Sequence, residues 1–194
     1  MTSHIKKIAA VVSLVLAATA GCTINIGVPS GGSSEQSASI YSENDIMFAQ
    51  MMIPHHQQAV DLSDLALATS ASSDVRDLAT RIKAGQGPEI DQMSSWLEYS
   101  GSSLMMEGHD MASHGMSGMV SDEDFETLRS LSSPEFDVLF VQLMIDHHEG
   151  ALDMVSMIAN SSNDEARTLA EAITVVQRAE IDEMVALLEE LQSP

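Results

Sequence analysis

The sequence holds a single cysteine, Cys22, so no disulfide can close within the chain. Aromatic residues make up only 4% of it, and no alternating apolar run is bounded by hairpin turns, so there is no signal for strands. Positive charge is short as well: 8 Lys and Arg stand against 29 Asp and Glu, a formal net charge of −21. Nucleic acid needs a basic face, so it is excluded as a partner. The balance fits an acidic exterior that draws cations toward it. Also missing are a Gly-x-Ser-x-Gly elbow, a phosphate-binding loop, a zinc-protease motif and any Glu-x-x-His of the di-iron bundles.

What is present begins with "MTSHIKKIAAVVSLVLAATAGC". Lys6 and Lys7 open it, an apolar run follows from Ile8 to Ala18, and small residues precede Cys22, the pattern of an export signal. The run is too short for a comfortable transmembrane helix. "TAGC" resembles a bacterial lipobox, in which the cysteine becomes the lipidated first residue, although Thr19 stands where Leu, Val or Ile is usual. The expected organisation is a signal peptide over 1–21 and a lipidated Cys22 with a Ser- and Gly-rich tether over 22–41. A helical domain follows over 42–192. The expected location is the cell envelope, on a membrane through Cys22.

Four helical stretches are expected, near 44–68, 74–99, 134–160 and 164–192, with Ser42 and Asp45 placed to cap the first. "SDEDFETLRSL" reads as a short extra helix before the third. The chain also repeats itself. "FAQMMIPHHQQAVD" (48–61) lies over "FVQLMIDHHEGALD" (140–153), and "QGPEIDQM" (86–93) over "QRAEIDEM" (177–184). Two copies of a helical hairpin bury their apolar faces best against each other. The expected fold is therefore all-α, a ferritin-like four-helix bundle built from two duplicated hairpins.

Helical spacing puts His55 and His56 on the apolar side of the first helix, with Met52 one turn upstream. His147, His148 and Met144 repeat this in the third. Glu89 and Glu180 fall on otherwise apolar lines of the partner helices, one turn after Gln86 and Gln177. Buried polar groups need partners. The pattern therefore predicts that the histidines and glutamates meet in one polar layer. Imidazole, thioether and carboxylate together suit copper better than magnesium or calcium, which take all-oxygen shells. The expected metal donors are thus His55, His56, His147 and His148, with Met52, Met144, Glu89 and Glu180 beside them. Pro54, on the wetter face, would free the Gln50 carbonyl and shape the helix locally.

A second cluster joins the halves over 103–119, "SLMMEGHDMASHGMSGM". Met105, Met106, Met111, Met116 and Met119 are interleaved with His109 and His114 among Gly, Ser and Asp, company that does not suit a core. Thioethers are soft donors that favour Cu(I), and imidazole also serves Cu(II), so the segment reads as a separate soft-ion site. Proton competition predicts weaker Cu(II) binding by the imidazoles below about pH 6.

"MMIPHHQQAVDL" and "LMIDHHEGALDM", followed by "PEIDQM" and "AEIDEM", resemble the bacterial domain-of-unknown-function 305 family over about 42–192. The resemblance implies an exported, ferritin-like helical bundle, often lipid-anchored, without a generally established activity. It implies relatives associated with copper binding or tolerance, many with a Met/His-rich segment between the halves. "KAGQGPEID" departs from the family's uninterrupted helix: Gly85, Gly87 and Pro88 predict a weakened or kinked second helix just before Glu89. Two other readings stay open on the residues alone. One is a structural or interaction module whose His/Glu layer only fixes helix pairing. The other is an enzyme using a core histidine as base.

Overall fold

The computed structural model describes residues 40–104 and 116–193. The expected signal, Cys22 and most of the tether lie outside the described residues, as do Met105, Met106, His109, Met111 and His114. Among the described residues there are five helices: α1 (Glu43–Thr69), α2 (Ser73–Ser100), α3 (Asp122–Ser130), α4 (Glu135–Val155) and α5 (Asp164–Leu191). There is no strand among them. The chain is all-α, a four-helix bundle with α3 as the short extra helix.

Each start has a chemical cause. Ser42 and Asp45 form a capping box at α1, with the Ser42 amide donating to Asp45 Oδ2 at 2.7 Å. Ser72, Ser121 and Asn163 cap α2, α3 and α5 through their side-chain oxygens. Gly101, at φ 68°, closes α2 in the left-handed conformation that an L side chain resists.

Helix α2 runs as one helix through Gly85, Gly87 and Pro88, where the sequence predicts weakening or a kink. Gly85 and Pro88 face solvent and Gly87 is only half-buried. The carbonyl that proline leaves unpaired, on exposed Ala84, can therefore be hydrated. Helix α4 ends five residues earlier than the expected Asn160. The Ser156 hydroxyl donates to the Asp153 carbonyl, and Met157 and Ile158 bond back only three residues, so the chain tightens into turns. Tyr41, expected in the tether, belongs to the fold. Its ring stacks on Trp96 at 5.1 Å and its hydroxyl donates to Glu165 at 2.8 Å.

Helix α1 pairs with α2 and α4 with α5, as two hairpins, and α1 crosses α4 between them. The apolar interior falls into two clusters. One holds Phe48, Met52, Met93, Trp96, Ala151 and Ile173. The other holds Ala59, Leu62, Ile82, Phe140, Met144 and Met184. Along α1 the order is first cluster, histidines, second cluster; along α4 it is the reverse. The two helices therefore pass antiparallel, and the histidine pairs lie at one level between two apolar layers.

Candidate metal centre

His55, His56, His147 and His148 are all 0% exposed. The 3.6-residue turn places each pair inward, and the crossing of α1 over α4 brings the pairs together. The His55 and His147 rings lie 3.7 Å apart between centroids, tilted by 35°. Within each pair the rings are 6.4 Å (His55–His56) and 6.3 Å (His147–His148) apart.

Each ring is tied at Nε2. His56 donates to Glu89 Oε2 at 2.7 Å, and His148 to Glu180 Oε2 at 2.9 Å. Glu89 is thus placed as Glu180 is, despite the glycines and proline before it. His147 donates to the His55 carbonyl at 3.1 Å, and His55 to the Ser117 carbonyl at 3.2 Å. Carbonyl oxygens only accept, which assigns the proton of both inner rings to Nε2 and leaves Nδ1 as a lone pair. All four Nδ1 atoms are buried with no hydrogen-bond partner. Gln86 Nε2 and Oε1 and Gln177 Oε1, one turn before the glutamates, are unpartnered as well.

Burial keeps the inner rings neutral. Desolvation, with the charge of His56 added, pushes His55 down to about 3. Desolvation also holds His147 well below its ordinary value, with His55 adding to it. The His55 lone pair therefore stays free of a proton well below the ordinary imidazole range.

The expected sulfur donors divide. Met52 and Met144 are buried but lie in opposite apolar clusters, one on each side of the histidine layer. Met93 and Met184 occupy the matching positions on α2 and α5. Met116 and Met119 are half-buried where the chain returns to the bundle. Among the described residues no group of three or more His, Cys, Asp or Glu side chains is set to hold one ion.

Some residues at this layer carry no sequence signal of their own. Gln58 exchanges two bonds with the backbone of Val120, at 2.9 and 2.8 Å. Gly150, at the matching place in the second copy, touches Ser117 and Gly118. The only hint is that the repeat breaks there, Gln against a mid-helix Gly.

The DUF305 family model, a domain of unknown function, matches residues 45–188. Among solved structures, a DUF305 fragment from Deinococcus radiodurans is 32% identical, with a TM-score of 0.71, covering 77% of this chain and 98% of that one. A DUF305 protein from Streptomyces coelicolor, described as secreted, is 29% identical with a TM-score of 0.72, covering 77% and 94%. CopM in its Cu(I)-bound form is 27% identical with a TM-score of 0.64, covering 77% and 98%. CopM is also known in Cu(II)-bound and silver-bound forms. No functionally curated protein matches the chain closely enough to count as a relative.

Proposed function

The chain belongs to the DUF305 family, and from that premise we propose that it is an exported copper-binding protein that sequesters the ion at the cell envelope. The supporting observation is the set of four buried imidazoles, each donating from Nε2 to a carboxylate or carbonyl and each with Nδ1 unpartnered. Ligating histidines almost always give their other ring N–H to such an acceptor, which fixes the tautomer and the ring. On this reading Glu89 and Glu180 orient His56 and His148 rather than ligate. Likeness to CopM, with its Cu(I), Cu(II) and silver forms, supports the choice of metal.

Cu(I) is the better cargo for the core than Cu(II) or zinc. It accepts few donors, and the buried thioethers of Met52 and Met144 on either side of the layer are soft. The Met/His segment from Met105 to Met119 would be a separate soft-ion site, fed by the acidic surface. Export through the 1–21 signal and anchoring through Cys22 complete the proposal. Among the described residues no helix is long and apolar enough to cross a membrane, and the proposed anchor is a lipid on Cys22.

Equilibrium dialysis of the full chain against Cu(I), Cu(II) and Zn(II) tests it. Cu(I) should be retained most strongly, and replacing His55 and His147 together by leucine should remove the core equivalent. Failure to retain any copper overturns the reading. One observation favours a second reading, a polar layer that only fixes helix pairing: among the described residues no three His, Cys, Asp or Glu side chains are grouped to hold one ion. In that case the leucine variant changes the melting temperature and leaves copper uptake as it was.

A further inference from the structure

The duplication makes a specific demand that the molecule does not meet. His147 Nε2 donates to the carbonyl of His55. By the repeat, His55 Nε2 should donate to the carbonyl of His147. It donates instead to Ser117, from the segment that leads back into the bundle. Gly118 occupies the space over the His147 carbonyl: a Cβ there would lie 2.9 Å from that oxygen and 2.5 Å from the Asp146 carbonyl. Its φ of 79° also favours glycine. The segment Ser117–Val120 is thus inserted as a strap where the second copy of the bond would have been.

Both halves are adapted to receive it, at the same repeat position. On α4, Gly150 lets the strap approach so closely that a Cβ would fall 2.1 Å from the Ser117 oxygen and 2.6 Å from Gly118 Cα. On α1, the Gln58 amide grips Val120 at both its N–H and its carbonyl. A mid-helix glycine costs about 1 kcal/mol against alanine, so close backbone approach is its evident use. Ser117 Oγ adds a bond to Asp153 Oδ2 at 3.1 Å.

We propose that the Ser117–Val120 strap, seated on Gly150 and clamped by Gln58, is a positioning element that holds His55 as the Nε2–H tautomer and so presents its Nδ1 as the donor nitrogen. The tautomer claim stands on the geometry alone; the claim that this nitrogen serves copper rests on the proposed function. Without the strap acceptor, His55 has no fixed partner and its proton distributes between the two nitrogens. The strap makes the two halves unequal: His147 is oriented by the bundle itself, His55 by the returning chain.

Long-range 1H–15N correlation on the full chain labelled at histidine tests this, near neutral pH and without metal. The native chain should show His55 protonated at Nε2 and bare at Nδ1. Gly150→Ala, which drives a Cβ into the strap, should move His55 to a tautomer mixture while His148, tied to Glu180, keeps its signal. Gln58→Ala removes both clamp bonds without adding an atom, should act in the same direction, and decides the matter if Gly150→Ala does not fold. Gln58→Glu, which keeps the acceptor for the Val120 N–H, should restore part of the effect. Gly85→Ala, with nothing within 4 Å of the new Cβ, is the control that leaves His55 unchanged. Copper affinity at the core should fall about 10- to 100-fold in the strap variants, the usual cost of losing a ligand's orienting partner. An unchanged His55 signal in both strap variants, or a native His55 protonated at Nδ1, overturns the inference. A tautomer shift with unchanged copper affinity overturns its link to the metal. If the native chain takes up no copper, the copper reading falls, and a tautomer shift in the variants still supports the strap.

Discussion

His55 illustrates how burial decides what a side chain can do. An imidazole in water takes a proton near pH 6.5, but inside the bundle the charged form loses its hydration. Its folded-state value drops to about 3, with burial the largest cause. Above pH 6.5 the folded and unfolded chains both hold this ring neutral, so it makes no pH-dependent contribution there. As the pH falls below 6.5 the unfolded chain binds a proton that the folded chain refuses, and stability drops toward a slope of about 1.4 kcal/mol per pH unit until the pH nears 3. His147 shifts in the same direction, for the same first cause. Acidification also relieves the repulsion within a chain of net charge −21, which acts with the opposite sign. A comparison isolates the histidine term: relative to His55→Leu, the native chain should lose about 1–2 kcal/mol in urea denaturation between pH 7 and pH 5. A constant difference between the two across that range would mean that His55 takes up its proton in the folded state.

Among the helices, sequence and structure agree where a regular pattern meets a cap and part where one face overrides it. The Ser42–Asp45 capping box and the repeat of His-His over His-His were legible, because each is a local rule written in adjacent residues. The behaviour of "KAGQGPEID" was not. Gly85, Gly87 and Pro88 argue by propensity for a weakened or kinked helix; Ile82, Gln86, Met93 and Trp96 keep one face of α2 buried through it, and the helix is continuous. Burial of that face outweighs a propensity cost borne on the solvent side. The Ser117 contact to His55 was hidden for another reason: it joins positions 62 residues apart through a backbone carbonyl, which has no residue type to read. Two glycines separate these influences. Gly85 is helical, exposed and has open space around its Cβ position, so Gly85→Ala should raise stability by about 0.5–1 kcal/mol. Gly101 has equal space but φ of +68°, so Gly101→Ala should lower it by about 1 kcal/mol. Thermal melts of both variants read the two signs, and a loss in Gly85→Ala would show that the second helix needs its glycines.

At the scale of the molecule, the duplication places two repeated halves around one histidine layer, and the connection between them decides how that layer can be tested. The Met/His segment leaves and returns on the same helix. Gln50 of α1 donates to the Ser103 carbonyl at 2.7 Å, and Gln58 of α1 clamps Val120. Eight residues of helix separate those two anchors, about 12 Å along the axis. Removing the whole of 103–119 would delete both the proposed soft-ion site and the acceptor of His55, so a loss of copper could not be assigned to either. Replacing only residues 105–115 with eight Gly and Ser residues keeps Ser117, Gly118 and the clamp. Such a linker has a mean span of about 15 Å, enough to bridge the anchors without pulling on the strap. Copper titration of this variant against the native chain should show the equivalents that depend on Met105, Met106, His109, Met111 and His114 gone and the core equivalent kept, with the His55 tautomer unchanged. Silver, as a soft ion, should follow the same division. If the shortened chain retains no copper at all, the imidazole layer is not an independent site, and the donors that matter lie in the segment between the halves.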